Sequence, residues 1–222
     1  MLTCDLHIHS NFSRDGESSV RDCLMRAADV GLDAIAITDH DTLEGARAAL
    51  SRKSRVIVIP GIEISTVQGH LIVLGTLDPI PPGLDVIETI RIAHDLGGVV
   101  VLPHPFHMWR HGVAVQFRAA MPAVDAIETF NSRYIVGTAN KKAARVARIL
   151  GKPCVGGSDA HNARYIGFGR TYVSAEPDTD SILDAIRNGA TMAGGHMTPL
   201  RTYTRQSLRN TWRKIKRRVR KR

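Results

Sequence analysis

The chain has little cysteine and no long apolar stretch, and each shortage excludes a class of protein. Its three cysteines, Cys4, Cys23 and Cys154, are odd in number and widely separated, which argues against a disulfide framework and against a cysteine-rich zinc site. Apolar runs such as 56–59 and 99–102 are far too short to span a bilayer. The first residues lack the basic head and apolar core of a signal peptide. We therefore expect a cytoplasmic protein with reduced thiols.

The final segment, residues 201–222, has no acidic residue and carries the excess positive charge. The formal net charge is +9, but 11 of the 30 Lys and Arg side chains lie in this segment, and the other 19 are balanced by 21 Asp and Glu. Leu208, Trp212, Ile215 and Val219 follow helical spacing and predict a narrow apolar stripe among basic side chains. Such a segment is typical of contact with RNA, an anionic membrane surface or a protein partner. It equally fits a solvated tail or a helix docked on the body.

The residues before this segment alternate short apolar runs with helical patterns, and no internal repeat is visible. The predicted strands are Thr3–His9, Ala34–Thr38, Val56–Ile64, His70–Leu74, Val99–Leu102, Ala126–Phe130 and Val155–Gly157. The predicted helices are Ser19–Val30, Thr42–Leu50, Asp85–Leu96, Ala139–Leu150 and Ser181–Asn188. This alternation favours either an α/β barrel or a doubly wound open sheet. We expect one domain over residues 1–198 and a basic tail over 199–222.

Side chains that bind metals stand at the carboxyl ends of several predicted strands. His7 and His9 are two residues apart, as are Asp159 and His161, so the members of each pair point to the same side of their strand. The two pairs come from opposite ends of the sequence and meet only if the first and last strands are brought together. A closed parallel barrel makes those strands neighbours, whereas an open sheet does not. We therefore favour the barrel.

A larger set of imidazoles and carboxylates accompanies these pairs. The candidate ligands are His7, His9, Asp15, His40, Glu63, His104, Asp159 and His161, with His70 as an additional candidate. These groups suit Mn, Fe or Zn, and the absence of thiolates argues against a structural zinc site. The set exceeds what one ion needs, so we expect two or three divalent ions with Glu63 as a bridge. The alternative for Glu63 is a buried salt bridge.

Four motifs together resemble the PHP (polymerase and histidinol phosphatase) family. They are Asp5-Leu-His7-Ile-His9-Ser with Ser13-Arg-Asp15-Gly shortly after it, Ile37-Thr-Asp39-His40-Asp41, Pro60-Gly-Ile-Glu63-Ile-Ser and Gly157-Ser-Asp159-Ala-His161. The resemblance covers about residues 1–197. It implies a distorted seven-stranded β/α barrel whose metal site hydrolyses phosphomonoesters or phosphodiesters.

The resemblance also implies how the ligands divide among the ions. One ion would be held by His7, His9, Glu63 and Asp159, a second by Asp15, His40 and His161, and a third by Glu63 and His104. Asp15 stands where many members have histidine, and this form resembles the branch that acts on nucleoside 3′,5′-bisphosphates and RNA 5′ ends. Asn131 stands where a further histidine ligand is expected.

The substrate contacts are predicted from residues that follow the site motifs. Arg133 comes just after Asn131 and Arg164 just after His161. Arginine forms bidentate contacts with phosphate, so we expect these two arginines and Asn131 to bind substrate. The alternative for each arginine is an ordinary place on the surface.

The sequence thus predicts a metal-dependent phosphoesterase acting on nucleotides or nucleic-acid ends through a metal-activated hydroxide. The residues expected to carry the chemistry are His7, His9, Glu63, Asp159 and His161. RNA, or another anionic surface, is the partner expected for residues 201–222, since it would keep a polyanionic substrate near the site. A phosphomonoesterase resembling histidinol phosphatase is one alternative. A non-catalytic RNA-binding barrel that acts through its basic tail is another.

Overall fold

The computed structural model describes residues 1–106, 113, 118–134 and 137–199, and these form an α/β barrel. The basic segment predicted at the end of the chain lies outside the described residues. The strands are β1 (Leu2–Ile8), β2 (Ala34–Ile37), β3 (Ile57–Thr66), β4 (Gly69–Leu74), β5 (Val99–Leu102), β6 (Ala126–Asn131), β7 (Cys154–Gly157), β8 (Gly169–Val173) and β9 (Thr191–Gly195). The helices are α1 (Val20–Asp29), α2 (Glu44–Leu50), α3 (Val86–Asp95), α4 (Thr138–Leu150) and α5 (Thr179–Arg187).

Local sequence accounts for where several helices begin and end. At the start of α1 the Ser19 hydroxyl accepts from Asp22 N at 3.1 Å, and Asp22 Oδ2 accepts from Ser19 N at 3.3 Å, which forms a capping box. Helix α4 ends at Gly151, whose φ of 63° is left-handed and suits glycine. No helix within the described ranges is both long enough and apolar enough to cross a membrane.

One sheet holds the described strands in the order β7-β6-β5-β4-β3-β2-β1-β8-β9. Neighbours among β1, β2 and β3 are parallel, as are those among β5, β6 and β7. Strand β4 is antiparallel to both β3 and β5, β8 is antiparallel to β1, and β9 to β8. The closed parallel barrel expected from the sequence is therefore corrected in strand direction to a mixed barrel. Only Val67 and Gln68 separate β3 from β4, and so short a connection permits a hairpin but no parallel crossover.

Strand β7 lies against β1 and β8, and this contact nearly closes the barrel. Thr171 Oγ1 accepts from Gly156 N at 2.8 Å and donates to Gly156 O at 2.7 Å. Beyond the ends of β7 and β1, His9 N donates to Ala160 O at 2.9 Å. A Cβ atom at Gly156 would lie 2.4 Å from Arg170 O, so the close approach of these strands requires glycine. The α/β barrel predicted from the sequence is confirmed.

The described residues contain two strands more than the seven that the resemblance implies. Strands β8 and β9 form an antiparallel pair in a region where no strand was predicted. Glycine occupies the first position of β8 and the last two of β9, and both strands are only partly buried. Few branched apolar residues mark them, so their hydrophobic pattern is weak.

Candidate metal centre

Ligand-type side chains from six strands meet at one end of the barrel. The parallel strands contribute residues near or beyond their carboxyl ends, which are His7 in β1, His9 after β1, His40 after β2, Glu63 in β3, His104 after β5, and Asp159 and His161 after β7. His70 is the second residue of β4, whose antiparallel direction brings its amino end to the same place. The carboxyl ends of parallel strands converge in α/β folds, so these positions share one opening.

The two pairs predicted to meet do so. His7 Nε2 lies 3.9 Å from Asp159 Oδ1, and His9 Nε2 lies 3.6 Å from the same oxygen. The ring centroids of His9 and His161 are 4.2 Å apart. Because β7 lies beside β1, residues about 150 positions apart in the sequence become neighbours. This contact brings the two pairs into one cluster.

Glu63 is the centre of the cluster. Its Oε2 lies 3.4 Å from His7 Nε2, 3.2 Å from His9 Nε2 and 3.3 Å from His40 Nδ1. Its Oε1 lies 3.0 Å from both His70 Nδ1 and His104 Nε2. Burial alone would raise the pKa of this carboxyl, but the imidazoles of His40, His7 and His70 hold the pKa well below its usual range. Glu63 is therefore an ionised carboxylate whose two oxygens face different imidazoles.

Asp15 extends the cluster toward solvent. Its Oδ2 lies 3.0 Å from His161 Nε2 and 3.7 Å from His40 Nε2. Partial burial opposes ionisation of this carboxyl, but the hydrogen bond with His161 and the nearby imidazoles lower its pKa. Asp15, His40 and His161 therefore stand together as the sequence predicts, next to the group around Glu63.

Two ligand candidates have an unusual backbone conformation. His104 has a φ of 30° and Asp159 a φ of 50°, and both are in the left-handed region that non-glycine residues rarely adopt. Asp41, beside His40, has a φ of 55°. Such conformations cost free energy and cluster at functional sites, where the surrounding structure maintains them.

The donor set fits divalent metal ions. Four groups have ligand atoms within 4.8 Å of one another: His9, Asp15, His40 and His161; His7, His9 and Glu63; His7, His104 and Asp159; and His40, Glu63 and His70. Neither ring nitrogen of the fully buried His9 makes a hydrogen bond within the described part of the chain. Burial, followed by the nearby His161, lowers the pKa of His9 to about 4. Burial likewise lowers the pKa of His40 to about 4. Buried neutral imidazoles with open lone pairs are what a metal ion requires.

The three residues predicted to contact substrate lie in different surroundings. Arg133 is buried, and its Nη1 lies 3.2 Å from Asp159 Oδ1 and also contacts the His161 ring. Asn131 Nδ2 donates to Asp159 Oδ2 at 3.3 Å, so this side chain supports a candidate ligand. Arg164 is exposed, with its guanidinium 5.6 Å from the centre of the Tyr165 ring. Arg133 and Asn131 therefore adjoin the cluster, and the contact described for Arg164 is with Tyr165.

Two buried carboxylates at the site were not identified from the sequence. Glu128 in β6 places Oε1 3.0 Å from His7 Nδ1, and Asp5 in β1 accepts from Ser158 N at 2.9 Å and from Gly167 N at 2.8 Å. Burial raises the pKa of Asp5 to about 6, against the hydrogen bonds that lower it. Each carboxylate interrupts an apolar strand, where an unpartnered charge is costly. That interruption was the available signal.

Comparison with known proteins yields two family matches. The PHP domain family matches residues 5–103, and the PHP-associated family matches residues 137–191. An uncharacterized protein of Methanocaldococcus jannaschii is 32% identical over 151 residues, which cover 63% of this chain and 87% of that protein.

Shorter matches join the chain to proteins with named activities. A phosphoribosyl 1,2-cyclic phosphate 1,2-diphosphodiesterase of Eggerthella lenta is 43% identical over 63 residues, or 28% of this chain and 24% of that enzyme. The 5′-3′ exoribonuclease Rnm of Salmonella typhimurium is 42% identical over 67 residues, or 28% of this chain and 22% of that enzyme. These matches span about a quarter of each enzyme.

A solved structure shares the fold. A two-domain protein from Bacteroides vulgatus, described as containing a "predicted PHP-like metal-dependent phosphoesterase", superposes with a TM-score of 0.73 at 23% identity. The match covers 88% of this chain and 65% of that protein. Its architecture agrees with the barrel described above.

Proposed function

This chain belongs to the PHP domain family of metal-dependent phosphate-ester hydrolases, and we propose that it acts on phosphate esters of nucleotides or nucleic-acid ends. The observation that carries the proposal is the ring of imidazoles around Glu63, whose two oxygens lie 3.0–3.4 Å from five histidines. An ionised carboxylate surrounded in this way is suited to bridge cations that act together on one phosphate.

We assign the ligands in three groups. His7, His9, Glu63 and Asp159 would hold one ion, and Asp15, His40 and His161 would hold a second. A third ion would be held by Glu63 and His104, and we add His70 because its Nδ1 and His104 Nε2 lie at equal distances of 3.0 Å from Glu63 Oε1. Imidazole and carboxylate donors favour Mn, Zn or Fe for all three places.

The side chains then divide the work of hydrolysis. Divalent ions, when bound, would activate a water molecule near neutral pH and offset the negative charge of the phosphoryl group. Arg133 would donate to phosphate oxygens, and its guanidinium, which lies beside Asp159 and His161, supports this role. Its pre-arranged positive charge would stabilise the additional negative charge of the transition state. We retain Arg164 as a candidate for a more distant part of the substrate.

The substrate class rests on three supports. The two relatives with named activities are a cyclic phosphodiesterase and an exoribonuclease, and both act on phosphate esters of ribose. Asp15 provides a carboxylate where many family members have histidine. Residues 201–222 contain 11 Lys and Arg and no acidic residue, which favours contact with a polyanion. We propose that residues 1–198 carry the hydrolysis and that the tail retains RNA or another polyanionic substrate.

A panel of phosphate esters tests this proposal. Adenosine 3′,5′-bisphosphate, a short 5′-phosphorylated RNA and histidinol phosphate would each be assayed with Mn²⁺, Zn²⁺, Mg²⁺ and Fe²⁺. We expect metal-dependent release of phosphate or mononucleotide from the first two, and its loss in His9→Ala and Asp159→Asn. His94→Gln is the matched control, because His94 pairs with Asp125 on the exposed face of α3.

The outcomes separate the alternatives. Preference for histidinol phosphate would favour the phosphomonoesterase alternative. RNA binding without hydrolysis of any ester would favour the non-catalytic barrel. Full activity in both site variants, with folding verified by circular dichroism, would refute the ligand assignment.

A further inference from the structure

Glu128 makes contacts that none of the motifs explains. It lies in the middle of β6, it is 1% exposed, and its Oε1 is 3.0 Å from His7 Nδ1. The opposite nitrogen of the same ring, His7 Nε2, faces the cluster at 3.4 Å from Glu63 Oε2. His7 therefore lies between two carboxylates, with one on each ring nitrogen.

The second oxygen of Glu128 is also occupied. Its Oε2 accepts from His104 N at 2.7 Å and from Asn131 Nδ2 at 2.9 Å. Asn131 Nδ2 also donates to Asp159 Oδ2 at 3.3 Å. Glu128 is thus in contact with His7, with the left-handed backbone of His104 and, through Asn131, with Asp159. These three residues are candidate ligands from three different strand ends.

A glycine in the neighbouring strand makes room for this contact. A Cβ atom at Gly157 would lie 2.5 Å from His7 Cβ and 2.7 Å from Glu128 Oε1, both closer than real Cβ contacts. Glycine at this position of β7 allows the His7 ring and the Glu128 carboxylate to lie against the strand. The contact is therefore a feature of the packed barrel interior, where side chains have little freedom to move.

We propose that Glu128 is a positioning residue that keeps a proton on His7 Nδ1 and so leaves Nε2 as the nitrogen that binds metal. This inference rests on the metal site proposed above. A carboxylate accepts a hydrogen bond from the remaining N–H of a metal-binding imidazole, fixing both its tautomer and its orientation. The same carboxylate accepts from His104 N, so one side chain orients ligands assigned to two different ions.

Glu128→Gln tests the proposal because glutamine keeps the shape but offers only one acceptor oxygen. If that oxygen stays with His104 N and Asn131 Nδ2, the glutamine NH₂ faces His7 Nδ1 and forces the ring proton onto Nε2. If the amide turns over, its NH₂ meets two donors instead. The first arrangement opposes the ligand form of His7, and the second removes the acceptor that orients His104 and Asn131. We expect Zn²⁺ and Mn²⁺ affinity to fall about 10–100-fold, the range found for such partners.

Two measurements separate positioning from mere support of the fold. Metal affinity would be measured by calorimetric titration of Zn²⁺ and Mn²⁺ into the full-length protein. The histidine tautomers of the Zn²⁺-loaded protein would be read from ¹⁵N chemical shifts, with the His7 signals assigned by their loss in His7→Gln. Glu88→Gln, on the exposed face of α3, is the matched control, and its metal affinity and His7 tautomer should equal those of the wild type.

The wild type should show His7 protonated on Nδ1 and metallated on Nε2, with weaker binding or a changed tautomer in Glu128→Gln. Unchanged affinity and tautomer in the variant would overturn the role of Glu128 alone. Metallation of wild-type His7 through Nδ1 would overturn it as well, and this measurement remains decisive if the variant does not fold. Wild-type protein that takes up no metal would contradict the proposed function, and this inference with it.

Discussion

Gly157→Ala is expected to disturb the site by a steric effect that can be worked out from the packing. The added Cβ would meet His7 Cβ at 2.5 Å and Glu128 Oε1 at 2.7 Å. Neither neighbour can move away freely, because both are about 1% exposed and lie between strands β1, β6 and β7. Extra atoms in a well-packed interior cost about 1–3 kcal/mol. For a chain of this size each kcal/mol lowers the midpoint of thermal unfolding by about 2–4 °C.

The assay is thermal unfolding in the presence of a chelator, followed by titration with Mn²⁺. We expect the metal-free variant to unfold at a lower temperature than the wild type, and its metal affinity to fall because His7 is displaced. Gly137→Ala provides the matched control, since a Cβ there meets nothing within 4 Å and the backbone φ of −65° suits alanine. That variant should resemble the wild type.

A stable Gly157→Ala variant with wild-type metal affinity would refute the reasoning. It would mean that β7 does not lie against His7 and Glu128 as closely as described. A variant that loses stability but keeps its metal affinity would separate the packing of β7 from the orientation of His7.

Three further predictions follow from the site and the charge pattern. Glu63→Gln should abolish tight metal uptake, because it removes the negative charge that faces five imidazoles. Metal content would be measured by elemental analysis after dialysis, and stoichiometric metal in this variant would contradict the bridging role. Metal affinity should rise with pH through the neutral range. Burial opposes protonation of His7, but Glu128, Asp159 and Glu63 raise its pKa well above 6.5, so metal must displace a proton until the pH exceeds that raised pKa. A flat neutral pH profile in titrations would argue against this. Deleting residues 201–222 should leave hydrolysis of small esters unchanged but weaken oligonucleotide binding and reduce the salt dependence of that binding. Binding would be measured by fluorescence anisotropy, and unchanged affinity would exclude the tail as the segment that contacts the oligonucleotide.

The ligand pairs could be predicted because their signal is local. His7 and His9 are two residues apart in an apolar run, as Asp159 and His161 are after another, and strand geometry alone places each pair on one face. The identity of the side chains indicated the metals, and the alternation of strands and helices indicated the barrel. The structure confirmed that barrel and brought the two pairs together, with His9 Nε2 near both Glu63 and Asp159.

Other parts of the fold could not be read locally. Strand β4 runs antiparallel to its neighbours, contrary to the expected parallel order. Strands β8 and β9 were not predicted because their hydrophobic pattern is weak, and the pairing of β8 with β1 joins residues far apart in the sequence. Arg133 and Arg164 follow similar motifs, yet one is buried against Asp159 and the other is exposed beside Tyr165. The difference arises from the packing around each side chain.

The sequence by itself determined which residues are candidate metal ligands and which neighbouring ones share a strand face, because these properties depend on residue chemistry and on a period of two. Tertiary structure decided the rest. Glu128 reaches His7 across 121 positions, and Gly157 makes room for that contact from a third strand. Such contacts arise when β1, β6 and β7 pack together, and a pattern within one strand contains no information about the strands that will flank it.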